Sequence, residues 1–231
     1  MFRDYIYLDT KRVNSYGRKL GIGDISIENG DSTGEEMYFE KFEYELEHKH
    51  INKDFLVVQS DNEADINKVN PQMIIKLQEK LLIPNEFGEV EFLKRLLTNE
   101  NMKNQLSNVL SKNDEEMPKE FFATLIKDRK NFPIYCEVGQ YIIHTSLNGE
   151  FFRNIEYFDF EENIGEVVTI VAKVDNAGKV EKDIVLYDIY KDLFGMNRQM
   201  RRAFNDNNKN IPEEIKIKGK GIKISILAIY K

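Results

Sequence analysis

The strongest chemical pattern in the chain is a group of three arginines in FGMNRQMRRAF, residues 194–204. On a helix, Leu193, Met196, Met200 and Phe204 form a buried stripe. Arg198, Arg201 and Arg202 then share another face at i, i+3 and i+4. A guanidinium is planar and always charged, so three on one face suit a phosphate backbone or an acidic protein surface. Lys209, Lys216, Lys218, Lys220 and Lys223 extend the positive run. Arg198, Arg201, Arg202, Lys218 and Lys220 are therefore the candidate phosphate- or partner-binding residues. Aromatic interleaving is lacking, so sequence-tolerant phosphate contact is the expected nucleic-acid mode. The competing reading pairs these arginines with the chain's own acid. Residues 28–65 hold twelve acidic and three basic side chains, net −9; residues 191–231 hold four acidic and ten basic, net +6.

Other residues could do chemistry singly, and each has a plainer use. Asp9, in DYIYLDTKRVNSY, stands between a strand-like and a helix-like run. It is either a carboxylate at a strand end or the N-cap of the next helix, and the cap explains it without catalysis. His48 and His50, if on a strand, would face one side and could hold a divalent metal, but a third ligand is missing. Cys136 has His144 as a conceivable partner across a hairpin; a buried, inert thiol is the ordinary alternative. Asp9, Glu137 and Lys173 are the pieces a metal-dependent nuclease would need, without a spacing that links them. Glu156, Asp159, Glu161, Glu162 and Glu166 read as a solvated acidic loop. GRKLGIGD and GKGIKIS contain glycines but not the order of a phosphate loop or dinucleotide fingerprint. No catalytic residue, metal or cofactor is assigned.

The elements that must position these residues follow from length and pattern. The chain has 231 residues, 41% hydrophobic and 32% charged, enough for one large or two small globular units. No apolar run reaches the roughly 18 residues of a membrane span, and no export signal is read at the start. The single cysteine excludes an intramolecular disulfide. A soluble, cytoplasmic protein from an AT-rich bacterium or phage is expected. Residues 4–8 predict a strand, and Val13, Tyr16 and Leu20 predict a helix closed by Gly21. Residues 36–47 fit both periods and lean to helix, while 54–59 read as a short buried strand or a helix fragment. Helices are expected over 71–82, 89–112, 118–128 and 190–204. Past Phe132–Pro133 the pattern turns to strands: two runs broken near Gly139, a turn at 147–149, strands at 166–174 and 183–187 around a turn at Asn176–Gly178, and a last strand over 211–231. In that last strand the apolar parity slips between Ile217 and Ile222, across Gly219 and Gly221, which marks a bulge or a break in the strand. The expected class is α+β: an α-rich region at 1–130, mostly helical at about 70–130, then a β-rich region at 131–231. The first strand could join the later sheet and make one domain.

The pieces YIYLDTKRVNSY, GEVVTIVAKV and ILAIYK together resemble an uncharacterised bacterial family, a domain of unknown function. Its members open on a Y-L-D strand-turn-helix and finish on an A-I-Y strand. The resemblance implies that Tyr7, Leu8, Asp9, Ala228, Ile229 and Tyr230 belong to the framework. It carries no activity over. Families of this kind often lie near antiviral genes, an association with defence rather than a mechanism. The expected function is a non-enzymatic protein-interaction or regulatory module with a protein partner. The alternatives are nucleic-acid binding through the basic C-terminal region, and a metal-dependent nuclease or hydrolase.

Overall fold

The structure, a computed structural model, describes residues 3–22, 32–51, 53–59, 63–84, 131–153, 163–188 and 214–231. Strand β1 (Tyr5–Leu8) leads into helix α1 (Thr10–Lys19). Helix α1 has Arg18 and Lys19 in its last turn, where cations suit the dipole, and Gly21 follows its end with φ 73°. Helix α2 spans Ser32–Lys49. Its period is decided by burial: Tyr38, Phe39, Phe42 and Leu46 are all buried, whereas Tyr44, which a strand would have placed beside Phe42, is 56% exposed. Strand β2 (Phe55–Val58) and the single turn α3 (Glu63–Ile66) follow.

The helix expected over 71–82 is instead strand β3, Ile74–Lys80. Ile75 and Leu77 face one side and Ile74 and Lys76 the other, and β3 pairs with a partner strand along all seven residues. The helical reading weighed the spacing of apolar residues, but this non-local ladder outweighs propensity. The helices expected at 89–112, 118–128 and 190–204 lie outside the described residues.

Strands β4 (Asn131–Val138) and β5 (Tyr141–Asn148) form an antiparallel hairpin across Gly139, which sits at φ 56°. A 3₁₀ turn, Gly149–Phe151, begins where a turn was expected. Strand β6 (Val167–Asp188) and strand β7 (Glu214–Tyr230) are long antiparallel partners. The expected turn at Asn176–Gly178 is not a reversal: β6 runs through it. The register breaks there, because Ala177 faces Ile222 while Glu181 faces Lys220. Gly178 lies so close to β7 that a Cβ on it would stand 2.9 Å from the Gly221 oxygen. The extra residues at this crossing lie on β6: three stand between Ala177 and Glu181, against Gly221 alone between their partners, so the irregularity expected in β7 belongs to its neighbour.

All seven strands form one sheet, ordered β2-β3-β6-β7-β5-β4, with β1 also on β7. Its strands come from both sides of residue 130. Most neighbours are antiparallel, but β5 and β7 are parallel, as are β2 and β3. The sheet curls until its far strand meets the chain after β3: Leu82 and Tyr135 exchange two backbone hydrogen bonds of 2.9 Å. Five strands thus close a ring, β3-β6-β7-β5-β4. Ile75, Cys136, Ile143, Ile170, Ala172 and Ile224 are among the side chains that fill it.

A second apolar cluster lies outside the wall of β1, β7, β6 and β3, where α1 and α2 pack through Val13, Phe39, Phe42 and Leu46. The first and last strands are neighbours: Tyr7 faces Ile229 and Leu8 faces Ala228. The class is therefore α+β. Among the described residues no helix is long and apolar enough to cross a membrane.

Candidate functional site

Two buried charged centres sit on the helix-covered side, and both are fully engaged. The Asp9 carboxylate is buried and accepts from the Arg12 backbone N–H at 3.0 Å, the bond of an N-cap. Its other oxygen lies 3.3 Å from Arg12 Nε. The Asp9 N–H donates to Leu227 O at 2.9 Å, at the residue where the β6–β7 register shifts between Ile226 and Ala228. Burial raises its pKa, while the Arg12 N–H and guanidinium oppose that rise. Asp9 therefore ties the start of α1 to β7.

The second centre is Glu43, 1% exposed. Tyr230 donates its hydroxyl to it at 2.5 Å, Lys76 Nζ stands at 2.8 Å, and Arg3 pairs with its other oxygen. Lys76 also reaches Glu47 at 2.7 Å. Burial works against the Lys76 charge, but Glu43 and Glu47 outweigh it and raise its pKa. An open cavity of about 290 Å³ beside this group is lined by Arg3, Glu40, Glu43, Tyr44 and Glu47. The clamp joins both chain ends to α2 and β3, and it leaves no oxygen of Glu43 free to act.

The remaining sequence candidates separate. His48 and His50 lie at the end of α2 rather than on a strand. His48 bonds Tyr44 O at 2.8 Å and stacks on its ring, while His50 turns to Asp54 at 3.3 Å. Cys136 and His144 are near neighbours on paired strands, but Cys136 points into the barrel. Burial, then Glu79, pushes its thiol up to about 12. His144 is one position off Cys136's partner Ile143, so the pleat sends it to the other face. Lys173 bonds Asp175 at 3.2 Å, and Glu137 is exposed on β4, so neither joins Asp9. Among the described residues no group of three or more His, Cys, Asp or Glu side chains could hold a metal ion.

The outer wall of β4, β5, the first half of β7 and the second half of β6 presents a different set. His144 pairs with Tyr135 on β4 and with Lys223 on β7. Its Nε2 lies 3.6 Å from where a Cβ on Gly221 would stand, so the imidazole occupies space that this glycine leaves open. Burial lowers its pKa to about 4, and Lys223 and Lys182 add to that effect. Lys182 and Lys223 are exposed, and neither has an ion-pair partner among the described residues. Beside them Ile142, Ile184 and Leu186 form a small buried cluster with Tyr135 and Ile217 against it.

Of the predicted binding residues, Lys220 lies on β7 with Nζ 5.3 Å from the centre of the Tyr141 ring. Lys218 is exposed and pairs with Glu181 at 3.3 Å. Arg198, Arg201 and Arg202 lie outside the described residues, in the connection from β6 to β7. Sequence reasoning missed Lys182 and Tyr135, because only the register of non-local strands brings them toward His144. The repeated Lys-X-Lys of β7 was the one available signal. Against family models, curated proteins and solved structures, the chain has no match.

Proposed function

We propose that this protein binds single-stranded nucleic acid and does no chemistry on it. One observation carries the reading. Counted along the chain, the barrel strands are β3 first, β4 second, β5 third, β6 fourth and β7 fifth. The order first-fourth-fifth-third-second, with third and fifth parallel, is that of the OB barrel. Barrels of that order bind oligonucleotides on the face of strands two and three, and through the loops between strands one and two and between four and five. In this chain Arg198, Arg201 and Arg202 fall in the connection between strands four and five. His144 and Tyr135 lie on strands three and two. Topology alone is an analogy; the outer wall, whose Lys182 and Lys223 have no ion-pair partner among the described residues, supplies chemistry that suits a polyanion. The acidic pI of about 5.2 then confines binding to this side rather than spreading it over the surface.

The test is fluorescence anisotropy with a labelled oligothymidylate across a salt series. The expected result is binding at low salt that weakens steeply as salt rises, and that drops at least tenfold in Arg198→Ala/Arg201→Ala/Arg202→Ala. No binding at low salt would end the reading. A protein partner, in a regulatory or defence setting, is the second reading, and β2 favours it. Among the described residues β3 is the one strand that pairs with β2, whose other side carries a single bridge from Ile51 to Phe55, and Val57 on it is 40% exposed. An edge of that kind accepts an added strand. Val57→Lys would then abolish partner capture and leave oligonucleotide binding intact.

A further inference from the structure

We infer that Lys182, Lys223 and His144 together form a seat for one phosphate group of the bound strand, with Tyr135 as the platform for the base beside it. The inference rests on the single-strand reading above and names where one backbone phosphate is held. Three features of the wall argue for it. The first is geometry. His144 faces Lys223 across the parallel β5–β7 pair and Tyr135 across the β4–β5 pair, so the three side chains form a row across three strands. Lys182 enters from β6, opposite Gly219.

The second is space. Gly219 and Gly221 occupy the two positions of β7 that face this side between β5 and β6. A Cβ at Gly219 would stand 2.7 Å from Ile142, and one at Gly221 would meet Ile184 at 3.0 Å and the imidazole at 3.6 Å. Both glycines are buried under Ile142, Ile184 and the imidazole, so their lack of a side chain lets His144 settle against β7 beside Lys223.

The third is charge. Two exposed ammonium groups, without carboxylate partners among the described residues, flank a half-buried imidazole. Burial first, and then these two cations, hold the ring neutral in the absence of an anion. A neutral imidazole still donates one N–H, so the seat offers two charged donors and one neutral donor, as a phosphodiester oxygen pair can use. An anion placed there cancels the repulsion that keeps the ring neutral. The neighbouring tyrosine ring suits the face of any base, which makes the recognition tolerant of sequence.

The same donors would take a free phosphate ion, and the experiment separates the two sources. The His144 ring signal, identified by its loss in His144→Asn, is followed by NMR at constant ionic strength. Oligothymidylate and inorganic phosphate are titrated in turn. The expected result is a saturable shift of the His144 signal with the oligonucleotide, and a rise of its apparent pKa by at least one unit. In Lys182→Ala/Lys223→Ala that shift disappears. Affinity falls roughly tenfold or more at low salt, and the slope of log affinity against log salt falls by about 1.4, two single-strand phosphate contacts at ~0.7 each. Unchanged affinity and slope in this double variant, with binding still lost in the Arg198/Arg201/Arg202 triple variant, would overturn the seat and keep the single-strand reading. Absence of oligonucleotide binding in the parent protein would overturn that reading. A His144 shift with inorganic phosphate that the double variant abolishes would then keep the seat as an anion site, and no shift would remove it as well.

Discussion

The imidazole of His144 makes stability depend on pH in a window that can be calculated. Burial first, then Lys223 and Lys182, hold its folded pKa at about 4. In the unfolded chain a histidine titrates near 6.5. Below pH 6.5 the unfolded state takes up a proton that the folded state refuses until about pH 4, so acid favours unfolding. The contribution is present above the unfolded value and is lost as pH falls through the interval between the two. Between these two values, lowering the pH from 7 to 5 removes about 2 kcal/mol, and the full loss below pH 4 approaches ~3 kcal/mol. Carboxylates also protonate in acid, so the parent protein alone does not isolate the effect. His144→Asn does: asparagine is polar, of similar reach and does not titrate. Urea unfolding at pH 7 and pH 5 should show the parent losing roughly 1–2 kcal/mol more than the variant between the two conditions. An equal loss in both proteins, or a ring that titrates near 6.5 by NMR, would refute the placement of His144 under two lysines.

The other predictions concern the framework. Glu43→Ala leaves Lys76 and Arg3 facing each other without their carboxylate and should cost about 3–5 kcal/mol, whereas Tyr230→Phe removes one hydrogen bond and should cost about 1–2 kcal/mol; urea midpoints at constant m check both. Asp9→Asn should keep nearly all the stability and all oligonucleotide binding, and Asp9→Ala should lose about 1 kcal/mol by the same measurement, because asparagine also caps. Cys136, with its thiol pushed up to about 12, should resist a thiol reagent at pH 8 until the protein unfolds; fast labelling of the native protein would contradict its place in the barrel. Gly139→Ala places a side chain at φ 56° and crowds Glu63, which bonds the Gln140 N–H at 3.2 Å, so about 1–2 kcal/mol should be lost in thermal or urea unfolding.

What could be read in the sequence was local. Asp9 as a cap, Gly21 beyond the end of α1, the helical stripe of Tyr38, Phe39, Phe42 and Leu46, and the parity slip in β7 each depend on neighbours a few residues apart. So does the break at Gly139. What misled was a choice that distant chain makes. MIIKLQEKLL has apolar spacing for a helix and also one face for a strand, and seven residues of β6 decide between them. Likewise VDNAGKVEKD has the composition of a turn. It is carried straight because β6 takes up its extra residues as an irregularity against β7, which has Gly221 where Gly178 presses in.

The same argument explains why the candidate site was only half visible. Arginines and lysines announce themselves by type, so the basic run was legible without any fold. Which of them share a wall is a question of register, and register in this sheet is set by pairs more than thirty residues apart, such as His144 with Lys223 and Lys182 with Gly219. One residue of slip decides the chemistry. Cys136 and His144 sit in paired strands eight positions apart in sequence, and with the hairpin register shifted by one they would face each other as a thiol and its base. In the observed register one points into an apolar core that keeps the thiol protonated. The other points outward, where partial burial and then two lysines keep the imidazole neutral. A nucleophile needs the opposite of both conditions, a thiolate beside an imidazolium. An anion site needs only the second, and that difference turns the reading from catalysis to binding.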